Sequence, residues 1–256
     1  MNAEKIAKLK AQVESLQGLL IRAYAKFLFF RPMMVNDPLN ERISNEGRHT
    51  GFSQLRNWLY WDFIQELVKL CDDSDDRTPS IRQLKKALAE PAILASLKEQ
   101  FSHRTWPPVK GNDLRIAQYF QEREEEELRL SFDETYRRFQ RSSAELLSSS
   151  ALTGYVTIRN KLIAHNELQK SDAGYTFFDI KVLKLKYGQE RKTLEMARDV
   201  VDDLDLLVRN SSFVWDSFLK QETEDVCKFW SIEEIEPPLI DAKSTTESKE
   251  RERVSP

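Results

Sequence analysis

A heptad-like seam runs through the start of the chain: Ile6, Leu9, Val13, Leu16, Leu20, Ala23, Phe27 and Phe30 recur in alternating steps of three and four. That spacing places all eight on one face of a helix, whereas a strand would need apolar residues at every second position. The pattern predicts a helix over 3–30, suited to a bundle or to a coiled-coil contact. Arg31-Pro32 ends it, because proline has no amide proton to donate and restricts the residue before it. A purely structural coiled coil is the weaker alternative, since the seam stops there. The chain has only 7 glycines in 256 residues, and its Val, Ile and Thr are not gathered into alternating runs, which argues against a sheet-rich fold. Long stretches of Leu, Ala, Glu, Lys, Gln and Arg favour helix instead.

Further along, Asn36, Asp37, Pro38, Asn45, Gly47 and Gly51 mark 33–51 as a polar connector. A helix over 52–70 carries Leu55, Trp58, Leu59, Trp61, Phe63, Ile64, Leu67 and Val68, and its apolar groups on more than one face predict a central position. The acidic run from Asp72 to Asp76 lacks the glycine and terminal glutamate of a calcium loop, so it reads as a solvated connector. Short helices over 81–89 and 92–101 and a proline-containing loop over 103–112 follow. A long helix over 113–148 has a charged stretch, 122–129, that reads as a solvated face. Helix is expected again to about His165, then a turn at Asp172-Ala173-Gly174. The apolar segment 177–187 is ambiguous between a helix and a short hairpin. A helix over 192–222 follows, with Leu194, Ala197, Val200, Val201, Leu204, Leu207 and Val208 inward, and a short helix over 226–230 closes the set.

The expected architecture is an all-α helical bundle forming one domain over 1–235. The polar stretch 236–256 reads as a disordered tail, and from about Asp241 onward it has too few apolar groups to offset its ordering entropy and reads as dispensable. Hydrophobic residues make up 40% and charged residues 32%, enough for a sizeable core behind a solvated surface. No stretch approaches the roughly 20 apolar residues of a membrane span, and the first residues lack the apolar core of a signal peptide, so no membrane and a cytoplasmic location are expected. Cys71 and Cys227 stand in apolar helical stretches and read as small hydrophobes rather than a disulfide or a metal site. No glycine-rich phosphate loop, CxxC pair or nucleophile elbow occurs, so neither cofactor nor metal is expected.

Only three histidines are present. His49 and His103 fall in expected loops without an ionisable partner and read as surface residues. His165 differs, because it ends the stretch Ile158-Arg159-Asn160-Lys161-Leu162-Ile163-Ala164-His165-Asn166. On an ideal helix Arg159 and His165 lie three residues either side of Leu162, about 120° apart and about 9 Å apart in rise, flanking an apolar stripe. The ordinary account is an arginine answered by a core carboxylate and a histidine hydrogen-bonded near a helix end.

The wider stretch adds to this. Arg159, a polar Asn160, four further residues and His165 resemble the Arg-polar-x(4–6)-His motif of the HEPN superfamily. The 158–166 stretch, the 179–188 segment ending Leu185-Lys186-Tyr187-Gly188, and Ser212-Phe213-Val214-Trp215-Asp216 resemble its AbiU-like abortive-infection branch. The resemblance covers most of the chain, from the first helix to Trp230. It implies a HEPN-like up-and-down bundle with extra N- and C-terminal helices and the motif on a late helix, about 149–168. It also implies metal-independent RNA cleavage at a homodimer interface, with Arg159, Asn160 and His165 catalytic. The expected roles are a toxin or abortive-infection effector with RNA as substrate and an antitoxin or other defence-system protein as partner. The alternative is a non-catalytic helical module that keeps the fold and binds or regulates. The net charge of −3 gives no bulk support for RNA binding and leaves room for a local basic site.

Overall fold

The computed structural model describes residues 2–73, 78–103, 114–164, 168–171, 174–186 and 188–235. Helix α1 spans Asn2–Phe30, and all eight seam residues are buried. The stretch expected as a polar connector contains two short helices instead, α2 (Pro32–Val35) and α3 (Asp37–Asn45). The turn formers act there as helix starts. A proline sits in the first turn of each, where the missing amide proton costs nothing, and Asn36 Oδ1 accepts from the Leu39 amide at 2.8 Å.

Helix α4 (His49–Asp72), α5 (Ile81–Leu88), α6 (Pro91–Ser102), α7 (Leu114–Ser148) and α8 (Ser150–Ile158) follow. A π-helical turn, Arg159–Ala164, continues from α8. Next comes an antiparallel hairpin, β1 (Leu168–Ser171) with β2 (Gly174–Phe177), in which Leu168 pairs with Phe177 and Ser171 with Gly174. The ambiguous apolar segment holds a 3₁₀ turn, Ile180–Leu183, in place of a helix. The single helix expected over 192–222 divides into α9 (Gln189–Arg209) and α10 (Trp215–Trp230). Asn210 takes a left-handed backbone, φ 51°, and its amide bonds the Leu206 carbonyl, a closure that asparagine tolerates better than most residues. The fold is all-α, and this hairpin is its only sheet among the described residues.

Where the sequence reads as one core, the chain packs as two compact units. The larger comprises 1–23 and 61–213. Within it α7 lies along α9, α5 packs on α7, and α6 and α8 pack on both. Phe132, Phe139 and Leu146 of α7 are buried, as are all seven expected inward residues of α9. The first part of α1 is tied in by Lys5–Glu90 at 2.9 Å, Arg22–Glu66 at 3.0 Å and Arg209 Nη1 donating to Gln17 at 3.4 Å. The smaller unit, from 24–60 and the chain beyond 214, is held by aromatic contacts. Trp230 donates its indole N–H to the Phe29 carbonyl at 3.0 Å and stacks obliquely on that ring, while Phe52 meets it edge-on. Helix α4 is therefore central only in its second half. Phe63, Ile64, Leu67, Val68, Leu70 and Cys71 are fully buried, but Trp58 is 66% exposed.

Two carboxylates are buried on α9. Asp203 accepts from Arg138 Nε at 2.7 Å. Asp205 has Arg209 Nε at 3.1 Å, yet neither of its oxygens accepts a well-aligned hydrogen bond. Burial raises the Asp205 pKa, Arg209 pulls it back, and the like charge of Glu14 raises it further. A carboxyl whose pKa is raised on folding binds protons more readily in the folded state, so its contribution is fully present below its unfolded pKa and is lost as pH rises through the folded value. Replacing Asp205→Asn should therefore stabilise the protein at neutral pH by on the order of 1 kcal/mol, a gain that fades as pH falls through the raised folded-state pKa and is gone below about pH 4. Urea unfolding at both pH values measures it; a variant less stable at neutral pH would mean that the Arg209 pairing outweighs the burial cost.

Candidate functional site

Helix α8 is short and firmly started. Ser149 Oγ accepts from the Leu152 amide at 3.2 Å, an N-cap bond. Its inner face buries Ala151, Leu152, Gly154, Tyr155 and Ile158. Thr153 and Thr157 donate back to the carbonyls four residues earlier, at 3.1 and 2.8 Å. Gly154 has a specific use: a Cβ there would stand 2.8 Å from Leu185 Cδ2, so the missing side chain admits the segment that follows the 3₁₀ turn.

At Arg159 the helix widens into the π turn, closed by i→i+5 bonds. Ideal α-helical geometry fails from this residue on. Single π turns inside α-helices occur often at functional sites. Arg159 is half-buried, with 26% of its side chain exposed. Its Nη1 donates to Asn160 Oδ1 at 3.1 Å, and its Nη2 lies 3.9 Å from Asp73 Oδ1. Lys161 Nζ stands 5.4 Å from the centroid of the Phe178 ring, a cation–π distance. Leu162 and Ile163 are half-buried. The structure thus brings Arg159 and Asn160 together, while His165 lies outside the described residues.

Asp73 is a neighbour of Arg159 that the sequence does not single out. The start of the acidic run is not solvated connector: Asp73 is 8% exposed and faces Arg159, and Asp72 is ion-paired with Arg82, whose Nη2 donates to Asp72 Oδ2 at 3.0 Å. A signal for it exists in principle. Two carboxylates at a helix C-terminus oppose the helix dipole and call for cations nearby. Residues 74–77 lie outside the described residues. His49 begins α4 rather than lying in a loop, and His103, read as lacking a partner, has Glu125 Oε1 3.6 Å from its Nδ1. Burial, then the Asp72 charge, pushes the Cys71 thiol well above its ordinary range. Among the described residues no three His, Cys, Asp or Glu side chains gather as metal ligands, and no helix is long and apolar enough to cross a membrane.

A helical bundle with an Arg-Asn pair on a late, short helix is the HEPN kind of protein. The chain matches the AbiU2 family of HEPN proteins over residues 6–229 and belongs to that family, which is associated with abortive infection. No curated protein and no solved structure matches it.

The close approach at Gly154 gives a direct test of how the motif helix is seated. Gly154→Ala should cost about 1 kcal/mol by pushing on Leu185. Combined with Leu185→Ala it should cost less than the two changes added, because the second removes the obstruction. A double-mutant cycle by chemical denaturation reads the coupling; strict additivity would show that the contact is absent.

Proposed function

We propose that the protein is a HEPN endoribonuclease acting as an abortive-infection or toxin effector, and that it cleaves RNA without a metal ion at a site shared by two chains. The observation that carries this reading is the Arg159–Asn160 pair, hydrogen-bonded at 3.1 Å on a π turn, in a chain of the AbiU2 family.

The chemistry follows from the residue types. A base takes the proton of a ribose 2′-hydroxyl, the 2′-oxygen forms a bond to the adjacent phosphorus, and the P–O5′ bond breaks. A proton passes to the departing 5′-oxygen, leaving a 2′,3′-cyclic phosphate and a 5′-hydroxyl. Imidazole titrates near neutrality and serves as that base or acid, which is the role of His165. The Arg159 guanidinium is a permanently charged fork for the phosphorane oxygens. Asn160, by accepting from Arg159, sets the plane of that fork and keeps its amide N–H groups as donors of the kind a phosphate oxygen accepts. Half-buried Leu162 beside the motif suits a position near a two-fold axis that brings both chains' arginines to one cleft.

One observation favours the second reading, a helical binding or regulatory module without catalysis. Asp73 beside Arg159 is what an arginine of purely structural use would also have. Activity separates the two. His165→Ala should lower RNA cleavage on the order of 10²- to 10⁴-fold with helix content and oligomeric state unchanged. Arg159→Lys should also be badly impaired, since an ammonium cannot present a bidentate fork. Mixing the two inactive variants should restore part of the activity if one cleft draws on both chains. EDTA should leave cleavage intact. Full cleavage by His165→Ala, measured on labelled RNA, would return the protein to the binding-module reading, and inhibition by EDTA would overturn the metal-free mechanism.

A further inference from the structure

Outside the motif, the described surface of the larger unit carries a set of cations centred on α5. That helix is strongly two-sided. Ile81, Leu84 and Leu88 are buried, while Arg82 and Lys86 are exposed and Lys85 is half-buried. A groove of about 530 Å³ runs between α5 and the end of α7, lined by Arg82, Lys85, Lys86, Gln140, Leu147 and Ser148 among others, with no carboxylate. On the other flank of the same helix a second cavity, about 260 Å³, is lined by Lys5, Lys8, Gln12 and again Lys86. Lys86 belongs to both, so the two hollows form one belt of five cations across α5. Two acids answer it at its ends, Glu90 on Lys5 and Asp72 on Arg82. Lys85 bonds only a carbonyl, that of Gln140 at 3.3 Å, and its pKa is lowered by burial and by the neighbouring Arg82 charge. In a chain of net charge −3 this belt is a local excess of positive charge.

The belt and the motif share supports at the end of α4. Arg82 is held by Asp72 and Arg159 faces Asp73, so consecutive residues at the end of α4 hold one cation of the belt and the arginine of the motif. The groove also ends at Ser148, and Ser149 caps α8, the helix that carries Arg159. We propose that the backbone of a single-stranded RNA lies along this belt, its phosphates meeting Lys85 and Lys86 with Lys8 beyond, and that the belt feeds the scissile phosphate to Arg159. The proposal rests on the ribonuclease reading for its occupant. Spaced lysines with amide and hydroxyl groups between them and no acid in the groove suit a phosphate chain, which needs charge along a line rather than one deep pocket.

The test uses the full chain bearing His165→Ala, so that a short labelled single-stranded RNA of mixed sequence is bound without being cut. Binding is followed by fluorescence anisotropy across a salt series, with and without Lys8→Gln, Lys85→Gln and Lys86→Gln together. Lys220→Gln with Lys228→Gln on α10 is the control for charge removed elsewhere. On a single strand, neutralising one phosphate-binding lysine lowers the salt slope by about 0.7, so the belt variant should fall by about 2 in slope and more than tenfold in affinity, and the control little. Lys86→Gln alone, at an exposed position, guards against a folding defect and should fall by about 0.7. Unchanged slope and affinity in the belt variant, with cleavage by the otherwise wild-type chain intact, would overturn the belt and leave the ribonuclease reading standing; an acidic protein surface would then be the better occupant. RNA bound through the belt but never cleaved would uphold the belt and sink the catalysis. A wild-type chain that neither binds nor cleaves RNA would remove both.

Discussion

Burying a carboxylate costs several kcal/mol unless a cation and hydrogen bonds are buried with it, and Asp203 sits in the joint between α7 and α9 with 5% of its side chain exposed. Arg138 answers it from α7 with two guanidinium nitrogens while half of its own side chain stays in water. Burial raises the Asp203 pKa, Arg138 pulls it down, and Asp199 pushes it up again. The pair adds little net stability, but it has one acceptable geometry. Sliding α9 along α7 would leave the carboxylate buried and unpaired. The register of the two long helices is thereby set, and with it the place where α7 ends at Ser148 and α8 begins. Helices α5, α6 and α8 all pack on this pair, so the position of the motif helix is inherited from it.

The motif's local surroundings then follow from small residues and caps. Ser149 starts α8 without a gap after α7, and Gly154 lets Leu185 approach the helix more closely than any side chain would allow. The chain after the hairpin is thus pinned one turn before Arg159. Phe178, on the same returning segment, offers its ring to Lys161. A π turn is less stable than α-helix, and here it is flanked by a capped α8 on one side and by contacts from the returning segment on the other. The arginine sits where the helix changes pitch, with Asp73 and Asn160 against its guanidinium, while the 178–185 return meets its helical neighbours Lys161 and Gly154.

Long periodic elements are legible in the sequence because burial imposes their spacing. The α1 seam and the inner face of α9 are each buried at every expected position. The polar connectors are not, because Asn, Asp and Pro serve both turns and helix starts, and only tertiary context chooses. Asn36 reads as a loop former in isolation and is an N-cap in the fold. Asn210 shows the opposite case: an unbroken run of helix-tolerant residues conceals a stop made by one left-handed backbone. Of the candidate site, the Arg159–Asn160 pair is legible as residue types, since the two are adjacent in sequence and bonded in the structure. It is not legible as geometry, because so short a π turn leaves no periodic trace. Asp73 stays hidden because its partner Arg159 is remote in the sequence and acidic runs are usually solvated.

That acidic step has a consequence for the whole charge pattern. Asp72 and Asp73 close α4, where the helix dipole is unfavourable to carboxylates, so the fold has to bring cations to them. It brings Arg82 from α5 and Arg159 from the end of α8. The two acids neutralise part of each arginine's charge, and they also hold in place side chains that carry much rotamer freedom when alone. A guanidinium restrained by an oxygen at 3.9 Å, without a tight bond to it, is positioned and still has capacity for another anion. The same dipeptide therefore accounts for two facts that pull in opposite directions. The chain is acidic overall, and its cations are nonetheless ordered into a belt and a motif, since some of the acids are the supports on which those cations are arranged.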